Sequence, residues 1–157
     1  MRIPLFLLAA SLAAQAAVVR HDLGHANRFD ISLNGKTLSV YGSGKNTAIT
    51  FLTHHRRDLV SQAKGDVVAP LAERDLFEKT REYWTGMAKK RFHYYTQQST
   101  KIFVKPVKVA RWVKGGDGVE WEGLRVEVID TPGFTRGAVS YLASVDGKKV
   151  AFTGDQI

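Results

Sequence analysis

The chain has 157 residues, 44% hydrophobic and 24% charged, and 23 Lys plus Arg against 15 Asp plus Glu give a formal charge of +8. That balance belongs to a globular domain with a real core and excludes a disordered or collagen-like chain, and the length leaves room for one domain rather than two. With no cysteine there is no disulfide framework, no Cys-ligated zinc and no thiol nucleophile, so any metal site must use His, Asp and Glu.

Met1-Arg2 precedes an apolar run, Leu5-Phe6-Leu7-Leu8-Ala9-Ala10, which continues to about Ala14 and ends in the small-x-small pattern Ala14-Gln15-Ala16. This is the pattern of a secretory signal peptide, and the run falls short of the roughly 20 residues needed to span a bilayer. The expectation is a leader over residues 1–16, a secreted or periplasmic mature chain from residue 17, and no membrane attachment after cleavage.

In the mature chain, residues 29–33 and 37–41 alternate as strands around the hairpin turn Asn34-Gly35. Residues 42–46 read as a flexible turn. Residues 48–53 are apolar and β-branched, which predicts a buried strand. A polar knot follows, His54-His55-Arg56-Arg57-Asp58, then a short helix over 59–64 capped by Asp58 and closed by Gly65. Residues 66–69 read as a strand. Pro70 is placed to open a long amphipathic helix reaching about Tyr94, with Leu76, Phe77, Tyr83, Trp84, Met87 and Phe92 on its packed face, Glu73 among the polar residues between them, and Gly86 as a bend. Residues 105–112 alternate weakly. Residues 124–129, 138–144 and 149–152 read as strands, the last two joined at Asp146-Gly147. The class is mixed α/β.

Three segments place polar groups just past apolar strands: Thr53 to Asp58, Asp130 to Thr135 and Thr153 to Asp155. Loops at strand ends, held by a rigid sheet, are where sites are commonly built. His54, His55 and Asp58 are metal-ligating types, although adjacent His side chains diverge and seldom share one ion.

Taken in order, FLTHHRRD, VIDTPGFTRGAVSYL and VDGKKVAFTGD resemble the metallo-β-lactamase superfamily over roughly residues 30–157. The resemblance implies an αββα sandwich, of which this chain supplies the N-terminal half to two-thirds, and zinc-dependent hydrolysis of a small-molecule substrate. Read from Thr53, the family motif H-x-H-x-D-H places its first His on His54 and its Asp on Asp58. Arg56 and Leu59 stand at the other two His positions, and Phe134 at the His of TPGH. The bridging Asp falls on Asp155. The implied metal ligands are therefore His54, Asp58 and Asp155 around one or two zinc ions, with Asp58 also the candidate catalytic carboxylate. His55 is a possible substitute ligand and Arg56 a possible replacement for the metal. The last family His and a second αβ half fall beyond Ile157, so the domain over 17–157 is expected to be incomplete at its C-terminus.

In an intact member, metal-bound water loses its proton near neutral pH and attacks the substrate. A guanidinium at position 56 would repel a divalent ion and could instead pair with Asp58 or Asp155, an attraction of roughly 4 kcal/mol at 4 Å and an effective dielectric near 20 before desolvation. The alternative reading is a non-catalytic binding protein on the same fold. A nucleotide site fails, because Gly42-Ser43-Gly44-Lys45 has Ser39 and Asn46 where the phosphate-loop pattern needs Gly and Ser or Thr. Nucleic acid is not expected as a partner: the aromatic residues at 83, 84, 94 and 95 belong to a helical pattern rather than a basic stripe.

Overall fold

The computed structural model describes residues 16–91 and 105–155. Ten strands form two sheets. The first runs β1 (Ala17–Asp22), β2 (Asn27–Leu33), β3 (Lys36–Val40), β4 (Thr47–Phe51), β5 (Asp66–Pro70) and β6 (Arg111–Val113) in that spatial order. The pairs β1/β2 and β2/β3 are antiparallel, whereas β3 to β6 run parallel. The second sheet is antiparallel, built from β7 (Gly118–Trp121), β8 (Leu124–Asp130), β9 (Val139–Val145) and β10 (Lys148–Phe152) in the order β10-β9-β8-β7.

The two sheets face each other because successive side chains alternate across a strand. Ile49 and Phe51 point into the inter-sheet core with Ile31, Leu38 and Val40 from one side and Val126, Val128 and Tyr141 from the other. Leu52, Val67 and Ala69 point the opposite way and pack with Val60 and Phe77 from the helices. Strand β5 is therefore buried on both faces, as its continuous run of Val and Ala demands. On β8 the inward Leu124, Val126 and Val128 alternate with the exposed Arg125, Glu127 and Ile129. The described residues thus make three layers, helices on sheet on sheet, in agreement with a partial αββα sandwich.

Both expected two-residue hairpin turns show positive φ at both positions. Asn34 and Gly35 have φ of 50 and 74°, and Asp146 and Gly147 have 50 and 72°. Strands β1 and β7 carried no strong alternation and escaped the sequence reading.

Other expectations need correction. The chain does turn within residues 42–46, at the exposed Lys45 and Asn46, but the segment is tied down by side-chain hydrogen bonds. Ser43 is buried, its hydroxyl 2.7 Å from that of Thr50 and bonded to the amide of Lys64, while Thr47 Oγ1 accepts the amide of Gly44. Pro70 ends β5 instead of opening a helix, since its fixed φ of −66° serves an edge of extended chain equally well. After a single turn over Leu71–Glu73 the helical stretch divides into α2 (Arg74–Glu78) and α3 (Thr80–Arg91). The break is at Lys79 rather than Gly86: the Thr80 hydroxyl takes the carbonyls of Leu76 and Phe77, and Lys79 leaves helical geometry. Phe77 is fully buried, but Tyr83 is exposed. Phe92 and Tyr94, the side chains of Trp84 and Met87, and the leader up to residue 15 lie outside the described residues. Glu73, expected on a polar face, is buried. No described helix is long and apolar enough to cross a membrane.

Candidate functional site

The site forms where β4 runs out of its sheet. Beyond Phe51, Thr53 O accepts the amide of Val139 at 2.9 Å and Leu52 O accepts the hydroxyl of Tyr141 at 2.8 Å. These two bonds tie the end of β4 to the start of β9, so the residues after Thr53 meet the loop before Val139. Strand β10 delivers Thr153 to Asp155 to the same edge. Gly154 adopts φ of +67° and passes so close that a Cβ there would come within 2.3 Å of Thr53 Oγ1. Three segments separated in sequence therefore converge.

His54 is buried at their centre. Its Nδ1 lies 3.1 Å from Thr53 Oγ1, its Nε2 3.4 Å from Tyr41 Oη and 3.6 Å from Asp155 Oδ2, and the Phe134 ring packs at 5.0 Å. Burial lowers its pKa, opposed by the charge of Asp155. Phe134 is 55% exposed and closes one side of the imidazole.

Arg56 holds the site together. Its Nη1 donates to Asp155 Oδ2 at 2.6 Å and to Tyr41 Oη at 3.4 Å. Its Nε donates to the Asp58 carboxylate at 3.0 and 3.2 Å, and its Nη2 to the His25 carbonyl at 3.1 Å. Burial opposes its charge, but Tyr41 and Asp155 hold its pKa above the ordinary guanidinium value. Asp58 lies in the first turn of the short helix α1 (Arg57–Val60), whose N-cap is Arg56 in extended conformation with no side-chain cap. Asp58 is thus not the expected cap: its carboxylate is taken by Arg56 and by His25 Nε2 at 3.1 Å.

The structure brings His54, Arg56, Asp58 and Asp155 together. It does not bring His55, whose ring is turned back against Phe77 at 4.9 Å, as alternation along an extended backbone requires. Leu59 is fully buried in the inter-sheet core. Sequence reasoning missed Tyr41 and His25. Tyr41 sits at φ of 65°, a rare conformation for a bulky residue that the neighbouring Gly42 does not announce. Burial raises the pKa of its hydroxyl, reinforced by Asp155. His25 reaches the site only because the β1/β2 turn folds over it, and no sequence signal marks it.

No protein-family model matches the chain. A hydroxyacylglutathione hydrolase of Aeromonas hydrophila is 31% identical over 106 residues, which is 68% of this chain and 32% of that protein. Among solved structures, a metallo-β-lactamase of Cronobacter sakazakii with a HARLDQ motif aligns with a TM-score of 0.57 at 14% identity, covering 82% of this chain and 55% of its own. BJP-1, a subclass B3 metallo-β-lactamase of Bradyrhizobium japonicum, aligns with a TM-score of 0.57 at 17% identity, covering 80% and 54%. The chain has the metallo-β-lactamase fold. It spans about a third of the curated relative and about half of these solved structures. The HARLDQ motif and residues 54–59 here, HHRRDL, both carry His, Arg and Asp at the first, third and fifth positions.

Metallo-β-lactamase-fold proteins invite a test for zinc, and the residues present do not fit it. Among the described residues no three His, Cys, Asp or Glu side chains gather to hold a metal. Both acidic candidates are engaged by Arg56. A divalent ion about 4 Å from that guanidinium would meet roughly 8 kcal/mol of repulsion at an effective dielectric near 20.

Proposed function

We propose that the protein binds a small-molecule substrate at this sheet edge, on a fold built for metal-dependent hydrolysis, with Arg56 standing where a metal would be kept. The observation that carries the reading is the guanidinium bridge from Asp58 to Asp155. A guanidinium cannot lose its proton to make room for an ion. The activity is then binding without hydrolysis. A cavity of about 480 Å³ adjoins the bridge, lined by Arg20, His25, Phe29, Tyr41, Phe152 and Asp155, and offers room for such a molecule. The leader pattern over residues 1–16 supports a secreted or periplasmic place of action, away from nucleic acid.

A second reading, hydrolysis through a zinc-activated water held by His54, Asp58 and Asp155, is favoured by the similarity to the hydroxyacylglutathione hydrolase. Metal analysis of the purified chain separates the two, together with assays on a β-lactam and an acyl-glutathione with added zinc. The expected result is well under one zinc per chain and no turnover. Two tightly held zinc ions, or turnover that depends on zinc, would overturn the binding reading in favour of the hydrolase.

A further inference from the structure

The turn after β5 carries a buried carboxylate that neither reading uses. Glu73 is 3% exposed and lies between two of the site's loops. Its Oε2 accepts the backbone N–H of His55, the residue between His54 and Arg56. On its other side stand the Thr135 hydroxyl and the Gly137 amide, which favour the ionised form while burial raises the pKa. Glu73 Oε1 and Thr135 Oγ1 are buried without a partner in hydrogen-bond geometry. The approach depends on a glycine: a Cβ on Gly137 would stand 2.6 Å from Glu73 Cγ and 3.0 Å from Ala72 Cβ.

Burying a carboxylate is costly unless its hydrogen bonds are worth having. Here the bond goes to site backbone that has left its sheet beyond β4. Thr53 O is held by Val139 N, and the amide of His55 by Glu73, so the peptide bearing His54 is fixed on both sides. The next residue, Arg56, leaves that anchored peptide to reach Asp58 and Asp155.

We propose that Glu73 is a positioning residue: through the His55 amide it sets where His54 and Arg56 stand, and it ties their loop to the loop that carries Phe134. Its functional meaning rests on the proposed site, but the bond does not, so the test reads the bond and the loop without any assay of metal or turnover.

The measurement is amide hydrogen exchange with nitrogen NMR on the full chain. In the unmodified protein the His55 amide, although in a loop, is expected to exchange as slowly as amides of β4. Glu73→Ala should speed it by about tenfold or more relative to amides of β8, and should move the Arg56 Nε–H and His54 ring signals. Glu73→Gln keeps one acceptor oxygen and should restore part of both. A His55 amide that exchanges in the unmodified chain like an exposed loop amide overturns the proposal even if no variant folds. Unmoved Arg56 and His54 signals in Glu73→Ala overturn it as well.

Discussion

Arg56 Nη1 lies 2.6 Å from Asp155 Oδ2, joining residues 99 positions apart in the chain. Both side chains are about a quarter exposed, at 25% and 24%. Arg56→Ala leaves Asp58 and Asp155 without their shared cation and should cost about 1–3 kcal/mol, less than a fully buried pair because solvent screens it. Adding Asp155→Asn should recover part of the loss. Urea denaturation of the two single variants and the double variant measures this, and a coupling below about 0.5 kcal/mol would show that the bridge contributes nothing to stability.

Zinc binding should be recoverable by substitution, though not at every position of the family motif. The Phe134 ring already packs 5.0 Å from that of His54, and Arg56 starts one alternate position along the same loop. Arg56→His with Phe134→His should therefore supply three imidazoles and bind about one zinc per chain, as read by metal analysis and isothermal titration. Leu59→His should instead destabilise the protein by about 2–5 kcal/mol, because Leu59 is fully buried in the core. A double-His variant that stays metal-free would show that these side chains do not converge.

Gly154 brings Asp155 to His54. A methyl group there would stand 2.3 Å from Thr53 Oγ1, at a φ of +67° that an L side chain rarely adopts. Gly154→Ala should cost about 2 kcal/mol or more and push the Asp155 segment away from Thr53 and His54. Thermal unfolding gives the first quantity, and the His54 ring signals report the second. A variant as stable as the parent would contradict the close approach.

Stability should fall on mild acidification because of His55. Burial lowers its pKa to about 4, helped by the charges of His54 and Arg57. The unfolded chain takes up that proton near pH 6.5, so it binds more protons than the folded chain between pH 6.5 and 4. Stability is lost as pH falls through that window, by about 3 kcal/mol from this group, and levels off below it. Glu73, raised by burial, binds its proton more readily when folded and offsets part of the loss. Denaturation midpoints at pH 7 and 4.5 test this: His55→Phe should flatten the dependence, and an unchanged slope would exclude His55 as its source.

Strand β8 and the β9–β10 hairpin were legible because their alternation and turn residues act locally. The three polar strand ends were legible for the same reason, as apolar runs stopping at His54, Asp130 and Asp155. The long helix was not, because a period of apolar residues does not reveal that Thr80 will take two carbonyls of the preceding turn. Nor was Glu73, whose charge reads as surface until the folded chain supplies the His55 amide to bond it.

By itself, then, the order of residues determined the α/β class, most strands of both sheets and the presence of Arg56 where the family motif has His. Only the tertiary structure decided what Arg56 does. Its partners Tyr41, Asp58, Asp155 and His25 come from four separate segments, and a hydrogen bond depends on distances of a few ångströms that packing alone establishes.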